Sequence, residues 1–518
     1  MHTIYYIFTV LGATWTTCAQ GNFSAFGQSL HLTRPELSHL GRAYARASMD
    51  GDTLAVACLT AQAALGKVQV QTRPLNYTII HENWSQTCWS EPYCVIQPRN
   101  ASQVSISLRI IGFFSVQFAV RSGGHSPNPG WSSIGQQGLL LDLQRLNTVA
   151  LSSDGTMASV GPGARWGDVY ASLDSTKAIV AGGREPTIGV GGLVLGGGLS
   201  HVSNEFGLVA DNVKRFEVSL ANGSIVDASA TSNTDLFWAL KGGGPNFGIV
   251  TRYDLYTLPI YQLWVQINAY SVNQVPAVLA AYHTWQQGGV SDVKSNVELN
   301  IALDYVAVVF IYAEPSAQPP AAFAAFFNST DVQPVQVALP GTNLTYHELD
   351  VILGSVMPVG PARTRIDADL TQAVYSFWRE KALDAHNATG ANQSFILQYV
   401  GPNLVQQGLN NGGNPLNIPT EAQQWWTTVA DWTEAADDAL VRSVSAETAA
   451  HWEELGAKRG SNLSFVFMND ASRDQDPLAS YGAESLEKLR QVAARYDPGR
   501  VFQTLQHGGF LLDRAGRT

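Results

Sequence analysis

The sequence predicts an α+β protein of two domains, and three observations carry that expectation. The chain has 518 residues, 45% hydrophobic and 10% aromatic, which is enough to bury more than one core. From Cys94 to about Pro259, short β-branched runs alternate with helical stretches and glycine clusters. From Tyr261 to about Asn462 the pattern shifts to longer apolar strands and long helical stretches, as in an antiparallel sheet backed by helices.

Taken in order, Ile4 to Ala19 is apolar and uncharged and ends in the small residues Thr17-Cys18-Ala19. That is a secretory leader pattern, too short to span a membrane, although no Lys or Arg precedes it. Residues 20–90 read as helical and irregular, with a turn at Asp50-Gly51-Asp52. Helices are expected at Ala101–Ile111, Trp166–Leu173 and Asn233–Leu240, and strands at Leu139–Leu143, Ala158–Val160, Ala178–Val180 and Phe216–Leu220. Asn222-Gly223 predicts a hairpin turn with positive φ at both central residues. In the second half, strands are expected at Leu263–Ala269, Val297–Ile301, Ala307–Ala313 and Phe395–Val400. The helices expected there are Val275–Gln286 and Ala422–Glu454.

The formal net charge of -11, with no dense basic run, argues against nucleic acid or an anionic membrane as partner. Ten Asn-x-Ser/Thr sequons, at Asn22, Asn76, Asn83, Asn100, Asn222, Asn328, Asn343, Asn387, Asn392 and Asn462, point to a glycosylated, secreted protein. Once the leader is removed, Cys58, Cys88 and Cys94 remain, and one disulfide plus one thiol is the simplest arithmetic in an oxidising compartment. Cys58 with Cys94 is the expected pair, with the other pairings left open by spacing alone. No histidine stands near these thiols at ligand spacing, so no metal is expected.

Glycine carries the chemistry. Gly182 to Gly198 holds eight glycines in 17 positions, a density that costs a packed element roughly 0.5–1 kcal/mol per interior residue. Such a segment suits main chain that wraps an extended ligand. Gly161-Pro162-Gly163 and Lys241 to Gly248 are similar, and Arg121-Ser122-Gly123-Gly124-His125-Ser126 presents a histidine on a glycine turn straight after an apolar strand. The dinucleotide fingerprint G-x-G-x-x-G fails, because the sixth position counted from Gly189 is Val194. Walker A, H-E-x-x-H and G-x-S-x-G patterns are absent as well.

Five segments together resemble the berberine bridge enzyme-like FAD-linked oxidoreductases of the vanillyl-alcohol oxidase fold family. They are Phe118 to His125, Val160 to Tyr170, the Gly182–Gly198 cluster, Leu236 to Arg252, and Tyr496-Asp497-Pro498-Gly499-Arg500-Val501-Phe502. The resemblance implies a two-domain PCMH-type FAD-binding fold with an inserted substrate domain. It divides the chain into a leader (1–19), an N-terminal part of the FAD domain (20–89), the PCMH-type domain (90–261), the substrate domain (262–462) and a returning C-terminal segment (463–518).

It also implies FAD joined through its 8α-methyl to His125. Contacts are expected from Arg121, Ser122, Gly123, Gly124, Ser126, Gly161, Gly163, Gly183, Thr187, Gly189, Gly192, Gly196 and Val250. Many relatives carry a second, cysteinyl link just before Pro-Thr; here Glu185 stands there, so a single histidyl link is expected. Where relatives place a histidine after the Gly-Gly pair, this chain has Leu193. Asp470 stands where relatives often have a tyrosine near the substrate. It is read either as a general base or, more simply, as a helix N-cap. Gln398 and Tyr399 are weaker catalytic candidates, Arg379 is expected in an ordinary ion pair, and His201 is either structural or a flavin neighbour. The implied activity is oxidation of a small organic molecule, a fungal secondary metabolite first and a carbohydrate second, with O2 as acceptor. A non-redox cyclase and a flavin-binding glycoprotein without turnover are the rival readings.

Overall fold

Three sheets order the chain, and each belongs to its own stretch of sequence. The computed structural model describes residues 22–288, 291–353 and 362–517; the leader expected at residues 1–19 lies outside them. In the first sheet, β1 (Val70–Thr72), β2 (Cys94–Ile96), β3 (Gln117–Arg121) and β4 (Gly138–Asp142) stand in the order β1-β2-β4-β3. β2 and β3 run parallel to β4. β4 reads Gly-Leu-Leu-Leu-Asp and is buried throughout, as a parallel strand covered on both faces should be.

The second sheet is antiparallel: β5 (Val149–Leu151), β6 (Met157–Val160), β7 (Val213–Ser219), β8 (Ile225–Ser229) and β9 (Ile249–Tyr256), ordered β5-β6-β9-β7-β8. The third has seven strands: β10 (Gln262–Ser271), β11 (Ser295–Ile301), β12 (Tyr305–Tyr312), β13 (Gln336–Thr345), β14 (Ala362–Arg365), β15 (Asn392–Val400) and β16 (Gln423–Asp431). Alternation along β12 joins two cores. Val309 and Ile311 pack with the core of the second sheet, whereas Val308 and Phe310 pack beneath helices. Among those helices, Ala368–Thr389 contributes Trp378 and Asp438–Arg459 contributes Trp452, next to Phe395 and Trp426 of the sheet.

Four expectations are corrected. Residues 423–431 form strand β16, not the start of a long helix. Trp425, Trp426, Thr427, Thr428 and Val429 suit a pleated surface, and β16 pairs with both β15 and β14. Ala178–Val180 is not a strand, since Val180 makes only an isolated bridge to Thr257. The hairpin at Asn222-Gly223 forms, but only Gly223 has positive φ (85°). Leu220 N–H reaches the Ser224 carbonyl, so the loop is longer than a two-residue turn. Finally, the dense glycine cluster accommodates a short helix, Val190–Leu195.

The Cys58–Cys94 disulfide ties helix Leu54–Leu65 to β2, with Cα atoms 6.2 Å apart, while Cys88 is a buried free thiol. The C-terminal segment comes back to the first sheet. Phe118 N–H donates to the Leu505 carbonyl at 3.0 Å, and His507 N–H donates to the Phe118 carbonyl at 2.8 Å. This covers the free edge of β3. Among the described residues no helix is long and apolar enough to cross a membrane.

Candidate active site

The glycine loops pack backbone against backbone, and Ser122 holds them. Its hydroxyl donates to the Pro162 carbonyl at 2.5 Å and accepts from Gly191 N–H at 3.1 Å. A Cβ on Gly123 would lie 2.5 Å from Gly189 N and Cα, so neither position has room for a side chain. The loops wall a cavity of about 340 Å³ whose far side comes from Phe467–Ala471, Gln506 and Gly508–Phe510. Asn469 couples the two walls, donating to the Gly192 carbonyl at 3.2 Å and accepting from Gly198 N–H at 3.0 Å. Asn128 does the same for the His125 loop, accepting from Arg473 N–H at 3.0 Å.

Of the expected contacts, Ser122, Gly123, Gly124, His125, Ser126, Gly189, Gly192, Gly196 and Val250 line this cavity. The others lie elsewhere. Arg121 is buried beneath the loop, paired with Asp142 at 3.0 Å and donating to the Ile79 carbonyl at 2.7 Å. Gly161 and Gly163 are packing glycines, pressed against the Leu146 and Leu143 carbonyls. Gly183 lies against the Trp166 ring. Thr187 meets His125 instead of the cavity: its Oγ1 is 3.1 Å from Nε2. The same nitrogen lies 3.4 Å from Glu185 Oε2, and the ring stacks on Trp84 with centroids 5.4 Å apart. Burial opposes ionisation of Glu185, but the nearby His125 ring and the hydrogen bonds from Thr187 outweigh it and hold its carboxyl below the usual range.

Asp470 faces the cavity from the end of a 3₁₀ turn, Met468–Asp470. The N-cap reading fails, because the next helix is capped by Asp476. Gln398 donates to Asp470 Oδ2 at 2.9 Å and accepts at its own oxygen from Arg184 at 2.5 Å. Burial pushes the Asp470 carboxyl up, against the pull of Arg363, the Gln398 hydrogen bond and Arg184.

Gln398 and Tyr399 line a separate small cavity with His201 and Glu298. Tyr399 is packed edge-on against Trp285, its hydroxyl unpartnered among the described residues and raised to about 12 by burial. His201 is fully buried beside that second cavity, 2.7 Å from Glu298, and not on the flavin wall. Arg379 makes no ion pair among the described residues and donates to the Leu303 carbonyl at 3.0 Å. Asn83 is corrected as a glycosylation site. It is buried, and its amide donates to the Cys88 carbonyl and the Ser132 hydroxyl. The other sequon asparagines are exposed.

Sequence reasoning passed over Arg184, Asn469 and the wall of Gln506 and Gly508–Phe510. Arg184 was legible as the one basic residue inside the glycine cluster. The other two have no local signature, since their role depends on chain return.

The cavity fits a dinucleotide of flavin type. The N–H groups of Gly123, Gly124, His125 and Ser126 have no protein acceptor among the described residues, which leaves a nest for an anionic diphosphate. A Cβ at Gly192 would meet nothing within 4 Å, so bare main chain borders open space there. Residues 92–229 match the FAD binding domain family model. An FAD-dependent monooxygenase of Arthrobotrys oligospora is 38% identical over 465 residues, 88% of this chain and 89% of that protein. The bifunctional solanapyrone synthase of Alternaria solani is 34% identical over 442 residues, 83% of each. Among solved structures, the glucooligosaccharide oxidase of Acremonium strictum has a TM-score of 0.71 at 20% identity, covering 86% of this chain and 98% of its own. Fold and site together define an FAD-dependent oxidoreductase of the PCMH-type fold. Within that class, the chain belongs to the family of fungal FAD-dependent oxidoreductases that includes the Arthrobotrys oligospora monooxygenase.

Proposed function

We propose that this protein is an exported oxidase that carries FAD on His125 through a single link and oxidises a small organic molecule of fungal secondary metabolism. The observation that carries the reading is the placement of His125 and Asp470 on one cavity, with Asp470 held by Gln398 and Arg184. When bound, flavin supplies a two-electron acceptor at N5. Asp470 would take the proton that substrate releases: burial raises its carboxyl above the ordinary aspartate value, which strengthens it as a base. Gln398 keeps one carboxylate oxygen fixed, so the other is presented to substrate. Dioxygen as the final acceptor would give hydrogen peroxide.

Export is supported by the leader pattern, by the exposed sequons and by the Cys58–Cys94 disulfide. The curated relatives, named as monooxygenases and as a synthase of a small molecule, favour a metabolite over a sugar. The likeness to a glucooligosaccharide oxidase carries only the fold at 20% identity. The test is anaerobic mixing of purified yellow protein with a metabolite panel, followed by oxygen. Flavin bleaching, then one peroxide per product with no oxygen atom incorporated from labelled dioxygen, is expected. Product formed with an unchanged flavin spectrum would establish a non-redox cyclase instead.

A further inference from the structure

Thr187 decides which nitrogen of His125 carries the proton. Its Oγ1 lies 2.5 Å from Glu185 Oε2 and 3.1 Å from His125 Nε2. A hydroxyl has one proton to donate, and an ionised carboxylate can only accept. The Thr187 proton therefore goes to Glu185, and towards His125 the same oxygen is an acceptor. Nε2 is then the N–H nitrogen and Nδ1 carries the lone pair. The carboxylate is itself fixed, accepting from Thr187 N–H at 3.0 Å and standing 3.4 Å from Nε2. Arg165 anchors the loop by donating to the Thr187 carbonyl and pairing with Glu82 at 2.6 Å. Nδ1 makes no hydrogen bond to protein among the described residues, while the ring borders the cavity.

We propose that Glu185 and Thr187 lock the His125 tautomer so that Nδ1 is the nitrogen that attacks flavin, and that Glu185 makes the attachment possible. The inference rests on the histidyl link proposed above. In attachment, the Nδ1–C8α bond forms and one C–H bond of the 8α-methyl breaks. That methyl proton and the Nε2 proton leave, and two electrons pass through the ring to dioxygen, giving hydrogen peroxide. The imidazole gains positive charge as the bond forms, and the Glu185 carboxylate beside Nε2 stabilises that charge and receives the proton. A carboxylate thus serves the first link at the position where doubly linked relatives have the cysteine of the second. The glucooligosaccharide oxidase neighbour is described as having 6-S-cysteinyl, 8α-N1-histidyl FAD.

The experiment compares full-length wild type, Glu185→Gln, Glu185→Asp and Thr187→Val after purification. Total bound flavin is read by absorbance, and the covalent fraction by fluorescence of the acid-denatured band. Glu185→Gln should keep its flavin but form the acid-stable link about 10²-fold more slowly or worse. Glu185→Asp should recover most of that loss, and Thr187→Val should fall between. A Glu185→Gln protein as fully acid-stable as wild type overturns the inference. A second readout needs no variant: magnetic resonance of the flavin peptide from wild type should show attachment at Nδ1, and attachment at Nε2 overturns the lock. Wild-type flavin that washes out in acid would instead sink the histidyl link itself.

Discussion

Burial raises both Asp470 and Asp350, but the two carboxyls have different surroundings. Asp470 opens on the cavity and keeps a hydrogen-bond donor in Gln398. Replacing it by Asn should lower kcat/KM for flavin reduction by about 10²–10⁴-fold while flavin loading holds. As a base it works ionised, so wild-type activity should fall as pH drops through a pKa above the ordinary aspartate range, and Asp470→Asn should lose that acidic limb. Rapid-mixing reduction rates across pH check both. Asp350, in helix Tyr346–Leu353, is wholly buried with neither oxygen partnered among the described residues. Burial, with the Glu185 charge added, pushes it to about 7. The folded state therefore holds a proton that the unfolded chain releases near pH 3.9. Stability is full below that pH, declines as pH rises to about 7, and is flat beyond. Asp350→Asn should be stabilising at pH 8, by at most about 4 kcal/mol, and nearly neutral near pH 4. Equal thermal midpoints for variant and wild type at pH 8 would refute it.

At the scale of elements, glycine has two separate jobs in the same cluster. Gly123 and Gly189 let two backbones touch, whereas Gly192 borders open space on helix Val190–Leu195. Gly123→Ala should force the loops apart, destabilise by about 1–3 kcal/mol and lose flavin. Gly192→Ala should fold as well as wild type or better, since Ala favours a helix by up to about 1 kcal/mol, yet load less flavin. Thermal midpoint and flavin occupancy, measured together, separate the two roles. Most elements were legible because their periodicity agrees with their burial: β11 alternates buried and partly exposed residues along its whole length. Residues 423–431 were not, because Trp and Thr in a mixed polar run say nothing about the strands that flank them. The turn after Leu220 was misread at the level of φ, since Asn-Gly fits several hairpin loops. The His125 loop was legible from its glycines, but the Glu185–Thr187 contact was not, because it depends on how two loops meet.

For the whole molecule, the order of the three sheets follows the sequence, while the two-domain expectation drew on chain length and the change of pattern from Tyr261. What a linear reading could not supply is the return of the C-terminal segment to β3 and to the cavity. The cysteines offer a test at this scale. Native protein should show no reactive thiol among its described residues, since Cys88 is buried and the other two are joined. Unfolded without reductant, it should expose one thiol if the leader bearing Cys18 has been removed, and two if it is retained. Opening the disulfide should cost about 4 kcal/mol for a crosslink spanning 36 residues, read as a shift in the denaturation midpoint.

The pairing of Phe118 with Leu505 and His507 sets a timetable for biosynthesis. Residues 92–229 carry the FAD-binding match, yet on a ribosome that segment emerges without the wall that Phe467–Ala471 and Gly508–Phe510 supply. Until the chain around Phe510 has been translated and has zipped onto β3, a flavin meets an open trough with no far wall. Loading therefore waits until Phe510 has been translated, and a nascent chain stalled short of that point should stay colourless.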